Sequence, residues 1–309
     1  DGAIKIHIDA YNLSIATVRK ARKEQISELF SRLQNGTSLN AAEKRNSLIS
    51  EFKEFIIDAT DSYIVFKNTT KSNNRFDLDE WAAFCFLLEV SGGARDVKGP
   101  DLMTLYKSNA VFDRDSVGAK KFLKVLNYMS KVFETETPEL KKKWSFIDFY
   151  LLISTLMEQN YSLTDKASNF KNTFTAFEGE RLTIDDDNIE EYRLSDDWRK
   201  KDMATYSDAF SREGNRKIKI QNRHDVFISR FLHEIPLIRL DENRNFSENE
   251  RILLWRWANE RCNECSKKIE LNEMHADHVI PYSRGGKTTL NNGQALCVEC
   301  NLKKSNSAN

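Results

Sequence analysis

At 309 residues the chain is long enough for two domains of ordinary size, and 40% apolar residues with only four prolines fit a helix-rich globular protein. Lys+Arg and Asp+Glu both total 47, so no global charge points to a polyanionic partner. The most apolar run, Trp144 to Met157, is too short to cross a membrane and contains Asp148, and no stretch reads as a signal peptide; a cytoplasmic protein without a membrane partner is expected. A start at Asp1 instead of Met reads as a fragment of a longer chain.

Ile4, Ile6 and Ile8 alternate with other residues and predict a short strand, after which the period turns helical from about Ser14 to Leu33 and an Asn35-Gly36 turn follows. Asn40 with Glu43 three residues on predicts a capped start for a long helix through Phe52, Phe55 and Ile56. Further helical patterns run from Asp79 to Val90, stopped by Gly92-Gly93, then from Ser116 to Phe133, Ser145 to Gln159 and Thr164 to Phe177. Their aromatics, among them Trp81, Phe84, Phe86, Phe146, Phe149 and Tyr150, read as core. Acidic sequence at Asp185-Asp186-Asp187 marks a loop, helix resumes from Asn215 to Glu234, and Ser247-x-x-Glu250 opens a last capped helix before the cysteines. The expected fold is mainly α: a helical body over 1–235, followed by a small α+β metal-stapled domain over 236–309.

From Asn215 on there are 16 basic and 12 acidic residues, leaving the C-terminal third about +4 and the rest about −4; a nucleic acid, if bound, belongs at that end. Four of the five cysteines, Cys262, Cys265, Cys297 and Cys300, form two C-x-x-C pairs there, while Cys85 stands in an apolar helical run. Two such pairs about 30 residues apart supply four thiolates for a tetrahedral Zn²⁺ in a reducing compartment, and a closed four-thiolate shell makes that zinc structural.

Between and after the pairs stand Asp277-His278-Val279-Ile280-Pro281, Ser283, Gly285-Gly286, Leu290 with Asn292, and Cys300-Asn301 with Lys304. The order D-H-x-x-P, S-x-G-G, L-x-N, C-x-x-C-N-x-x-K over about Cys262 to Asn306 resembles the HNH, or ββα-metal, endonuclease motif. The resemblance implies a β-hairpin packed on a helix, with the zinc outside the catalytic centre and a second metal within it. Phosphodiester hydrolysis then gives each residue a task. Asp277 and the Asn301 carbonyl hold Mg²⁺ or Mn²⁺, and His278, on the opposite strand face from Asp277, takes the proton of the attacking water. Asn292 holds the loop and the histidine's orientation, Lys304 and Arg284 contact phosphate, and Gly285-Gly286 make the tight turn. The third motif position, often His, is Asn301 here, which weakens the inference of metal binding without removing it and leaves the metal's identity open. His275 reads as a half-exposed strand histidine.

Phe30 to Thr37 with Leu39 and Ala42 to Asn46 resembles a segment of a GmrSD-type bacterial family with a ParB-like NTPase core and a helical remainder, found in restriction and phage-defence nucleases. Asp241-x-x-Arg244-x-Phe246 is similar to the lead-in to the HNH domains of such proteins. The family's D-G-x-x-R motif has no match, since Asp1-Gly2 is followed by Ala-Ile-Lys; either the ParB-like half precedes residue 1 or the protein never had it, and no nucleotide hydrolysis is assigned to this chain. The expected function is a DNA endonuclease, with RNA a second candidate substrate, working in restriction or anti-phage defence as a homo-oligomer or with a defence-system partner. A homing or mobile-element nuclease is a rival, but no recognition helix or basic arm stands out. A non-catalytic zinc-bound DNA-binding module is another, and it has no need of Asp277, His278 and Asn301 together.

Overall fold

The computed structural model describes residues 39–307 apart from 211, 212, 241 and 242, with scattered positions between 17 and 29. The expected strand at Ile4 to Ile8 and the Asn35-Gly36 turn lie outside the described residues, as does most of the helix from Ser14 to Leu33. Among the described residues the chain is mainly helical, with one two-stranded sheet near the C-terminus, and no helix is long and apolar enough to cross a membrane.

Helix α1 (Ala41–Asn46) begins at the expected capping box: the Asn40 side chain accepts from Glu43 N–H at 2.8 Å, and the Glu43 carboxylate accepts from Asn40 N–H at 2.8 Å. It does not continue through Phe52. Ser50 caps a separate helix, α2 (Glu51–Ser62), and its hydroxyl donates to the carbonyls of Tyr106 and Asn109, so a tertiary contact sets the break. After the short α3 (Ile64–Lys67) come α4 (Asp77–Val90), α5 (Gly99–Ser108), α6 (Val117–Val132) and α7 (Lys143–Glu158). Helices α4 and α7 are buried almost all round, as their apolar content requires. Trp81, Phe84, Phe86, Phe146, Phe149 and Tyr150 all lie within the core.

Helices α8 (Ala167–Leu182), α9 (Ile189–Leu194), α10 (Trp198–Phe210) and α11 (Lys217–Glu234) complete the body. Arg223 of α11 and Asp148 of α7 form a fully buried ion pair at 2.7 Å, helped by the Tyr206 hydroxyl of α10 at 3.0 Å and by the Trp144 ring under the guanidinium. Such a pair stabilises only while all its partners remain, and it therefore fixes the register of three helices.

The chain leaves α11 along the turn that follows α7: Ser162 N–H donates to Ile238 and Leu240 N–H to Asn160. Helix α12 (Glu248–Trp257) starts at the Ser247/Glu250 capping box. Glu250, 1% exposed, also accepts from the Tyr161 hydroxyl at 2.9 Å and from Arg239 at 3.2 Å. Leu253 of α12 enters the main core, whereas Trp255 and Ala258 pack on a small second core formed by Cys262, Ile269, Met274, Ala295, Leu296 and Cys297. Strands β1 (His275–His278) and β2 (Gly293–Leu296) pair antiparallel, Asp277 opposite Gln294 and His278 opposite Gly293, and α13 (Val298–Ser307) closes the module.

Candidate active site

Beyond α12, Cys262 N–H donates to the Lys267 carbonyl and Ser266 N–H to the Cys262 carbonyl, both at 2.9 Å, closing the first cysteine knuckle. Asn263 fastens it to β2: its N–H donates to Ala295 O at 2.9 Å, and its side-chain oxygen accepts from Ala295 N–H at 2.8 Å. Cys297 follows β2 and Cys300 lies in the first turn of α13. The four sulfurs lie within 4.8 Å of one another, Cys265 and Cys297 at 3.8 Å. A tetrahedral zinc with Zn–S bonds of about 2.3 Å separates its sulfurs by about 3.8 Å, so the donors fit it. Burial raises the Cys262 thiol, but N–H groups of Cys265, Cys297 and Glu264 outweigh it and bring the thiol down to about 6; its neighbours' thiols, Cys297 foremost, push Cys300 up to about 12. Four thiolates in so small a volume need a shared cation.

Alternation along β1 places His275 and Asp277 on one face, where they meet α13. The Asn301 side chain reaches His275 Nδ1 at 3.3 Å. Lys304 pairs with the Asp277 carboxylate at 2.7 Å and also donates to the main-chain carbonyls of His278 and Val279. Gln294, across the hairpin, donates to the same carboxylate at 3.1 Å. Burial raises the Asp277 carboxyl, but Lys304 and Gln294 hold it below the ordinary carboxylate value. His275, Asp277, His278 and Asn301 border one open hollow of about 390 Å³, which Arg244, Phe246 and Arg251 also line.

His278, 9% exposed, packs its ring between Phe246 and Tyr282, at centroid distances of 4.8 and 5.8 Å. Burial pulls its imidazole below the ordinary histidine value; the Asp277 charge opposes this, and Arg244 and Lys304 add to it. Its Nε2 lies 2.9 Å from the Thr288 hydroxyl, which donates to the Arg244 carbonyl.

Asn292 was expected to hold the loop and to orient His278; its hydrogen bonds go to the loop main chain and none reaches the imidazole. The Asn292 side chain accepts from Ile280 N–H at 2.8 Å and donates to the carbonyls of Ile280 and Lys287 at 3.1 and 2.9 Å, so it closes the loop between the strands. Thr288 is the side chain that meets the imidazole, because the Gly-Gly turn carries it back over the ring. Gly285 adopts φ +86°, and a Cβ on Gly286 would fall on the Ile280 carbonyl. Arg284 stands on an exposed turn outside the hollow, and Lys304, expected at a phosphate, holds Asp277. Thr288 and Gln294 had no signal in residue spacing, whereas Arg244 and Phe246 lie in the segment already likened to an HNH lead-in.

Among curated proteins and solved structures none matches the chain. The family model described as HNH endonuclease matches residues 262–307, so the two cysteine pairs, the hairpin and the closing helix form an HNH-family domain behind the helical body.

Proposed function

We propose that the chain is a divalent-metal-dependent endonuclease that hydrolyses DNA phosphodiester bonds in the hollow between β1, α13 and the Arg244–Phe246 segment. The convergence of Asp277, His278 and Asn301 on that hollow, apart from a four-thiolate site, carries the reading. The ionised Asp277 and the Asn301 side-chain carbonyl are oxygen donors suited to a hard cation. A bound Mg²⁺ or Mn²⁺ supplies positive charge to the scissile phosphate and the leaving oxygen. His278, buried and held below its ordinary value, is neutral near pH 7 and keeps a lone pair for the proton of the attacking water. Arg244, exposed at the rim with its guanidinium 5.9 Å from the Tyr282 ring centre, takes a phosphate oxygen, while Lys304 keeps Asp277 in place. The body, residues 1–235, serves recognition or regulation in restriction or phage defence, a role supported by the resemblance of the Phe30–Asn46 segment.

Supercoiled plasmid, modified or unmodified, incubated with and without Mg²⁺ tests the reading. Mg²⁺-dependent nicking that disappears in His278→Ala is the expected result. Zinc-dependent DNA binding without any nicking would turn the assignment to a binding module, and cleavage confined to RNA would change the substrate class.

A further inference from the structure

A histidine works as a base only through the ring nitrogen that carries no proton, so some group must decide which nitrogen that is. Around His278 the decision is legible in two hydrogen bonds. A threonine hydroxyl has one proton and two lone pairs. Thr288 Oγ1 lies 3.2 Å from the Arg244 main-chain carbonyl, a group that can only accept and so draws the hydroxyl proton toward itself. Its lone pairs then face His278 at 2.9 Å, and both contacts are satisfied together when Nε2 donates and Nδ1 carries the free pair. Phe246 and Tyr282 fix the plane of the ring, and the Lys287 carbonyl next to Thr288 is pinned by Asn292, so the hydroxyl is not free to wander.

We propose that Thr288 is a positioning residue that fixes His278 as its Nε2-protonated tautomer and thereby makes Nδ1 the atom that accepts the proton of the attacking water. The consequence for catalysis rests on the nuclease reading above; the tautomer itself does not. It also assigns the Arg244 segment a structural share in the reaction, since its carbonyl is the acceptor that turns the threonine hydroxyl round.

The test uses the full chain labelled with ¹⁵N-histidine, which contains five histidines, with His278→Gln identifying the signal of interest. Long-range proton–nitrogen correlation, in the absence of DNA, is expected to show His278 almost wholly as the Nε2–H form. Thr288→Val, and Thr288→Ala in case the valine variant does not fold, should give a mixture of tautomers, and Thr288→Ser should restore the parent spectrum. In plasmid nicking, Thr288→Val should lower kcat by about tenfold to a hundredfold, the usual share of a group behind a reacting residue, with KM and zinc content unchanged, and serine should recover most of the rate. A parent protein in the Nδ1–H form, or variants that keep the parent tautomer, would overturn the proposal. The spectrum is read without substrate, so a protein that never cuts DNA refutes the nuclease reading and leaves the tautomer result standing.

Discussion

His278 and Cys265 lie in one small module, and if they serve different ends, as the proposed function holds, single substitutions should separate them. His278→Ala is expected to slow nicking by about two to four orders of magnitude while zinc per chain and melting temperature stay near the parent values. Cys265→Ser should do the reverse first: it opens the thiolate shell, so bound zinc and melting temperature fall before any question of chemistry arises. Gly286 supplies a third case. Its Cβ would meet the Ile280 carbonyl, a main-chain group that cannot swing aside, so Gly286→Ala should cost about 1 to 3 kcal/mol in denaturant unfolding and slow cleavage through a displaced Thr288 loop. The four cysteines were legible in the sequence because two short spacings suit one shared metal, and they do cluster; Asp277 and His278 were singled out by resemblance and both border the hollow. Thr288 was not legible: it lies ten residues beyond His278, and only the folded Gly-Gly loop brings the two together.

At the level of elements, the helices that bury apolar residues on a strong period were read nearly to their ends: Ser116 to Phe133 was expected and Val117–Val132 is found. Helices Gly99–Ser108, Ile189–Leu194 and Trp198–Phe210 were missed. The last mixes charged and apolar residues without a clear face, and its place is fixed by partners distant in sequence, such as Asp148 against Tyr206. The α7–α11 interface carries a testable pH dependence. His224 of α11 is hydrogen-bonded through Nε2 to Thr155 of α7, its Nδ1 is buried without a partner, and burial lowers its value from 6.5 to about 4. The unfolded chain takes up this proton near 6.5 and the folded chain only near 4, so the native state loses stability as pH falls through that window and no further below it. Unfolding of the parent against His224→Gln, which cannot titrate, should show the gap changing between those two values. Parallel curves would remove His224 from the account.

For the molecule as a whole, one contact that ties the last helix before the module to the body is Glu250, a buried carboxylate that caps α12 and accepts from Tyr161 and Arg239 of the preceding chain. Tyr161→Phe leaves one of its oxygens short of a donor and is expected to cost about 1 to 3 kcal/mol. Melting should shift for the body and the module together, and separate transitions would show that they are not coupled. Leu290, on the loop that carries Thr288 and Asn292, packs against the main core, as does Leu253 of α12. A fragment made of residues 236–309 should therefore retain zinc yet nick DNA far more slowly than the full chain, because the loop behind the histidine has lost the surface it rests on. On the proposed nuclease reading, cutting power then belongs to the unbroken polypeptide, and a protease that severs the module from its body would leave a fragment that cuts far more slowly than the parent.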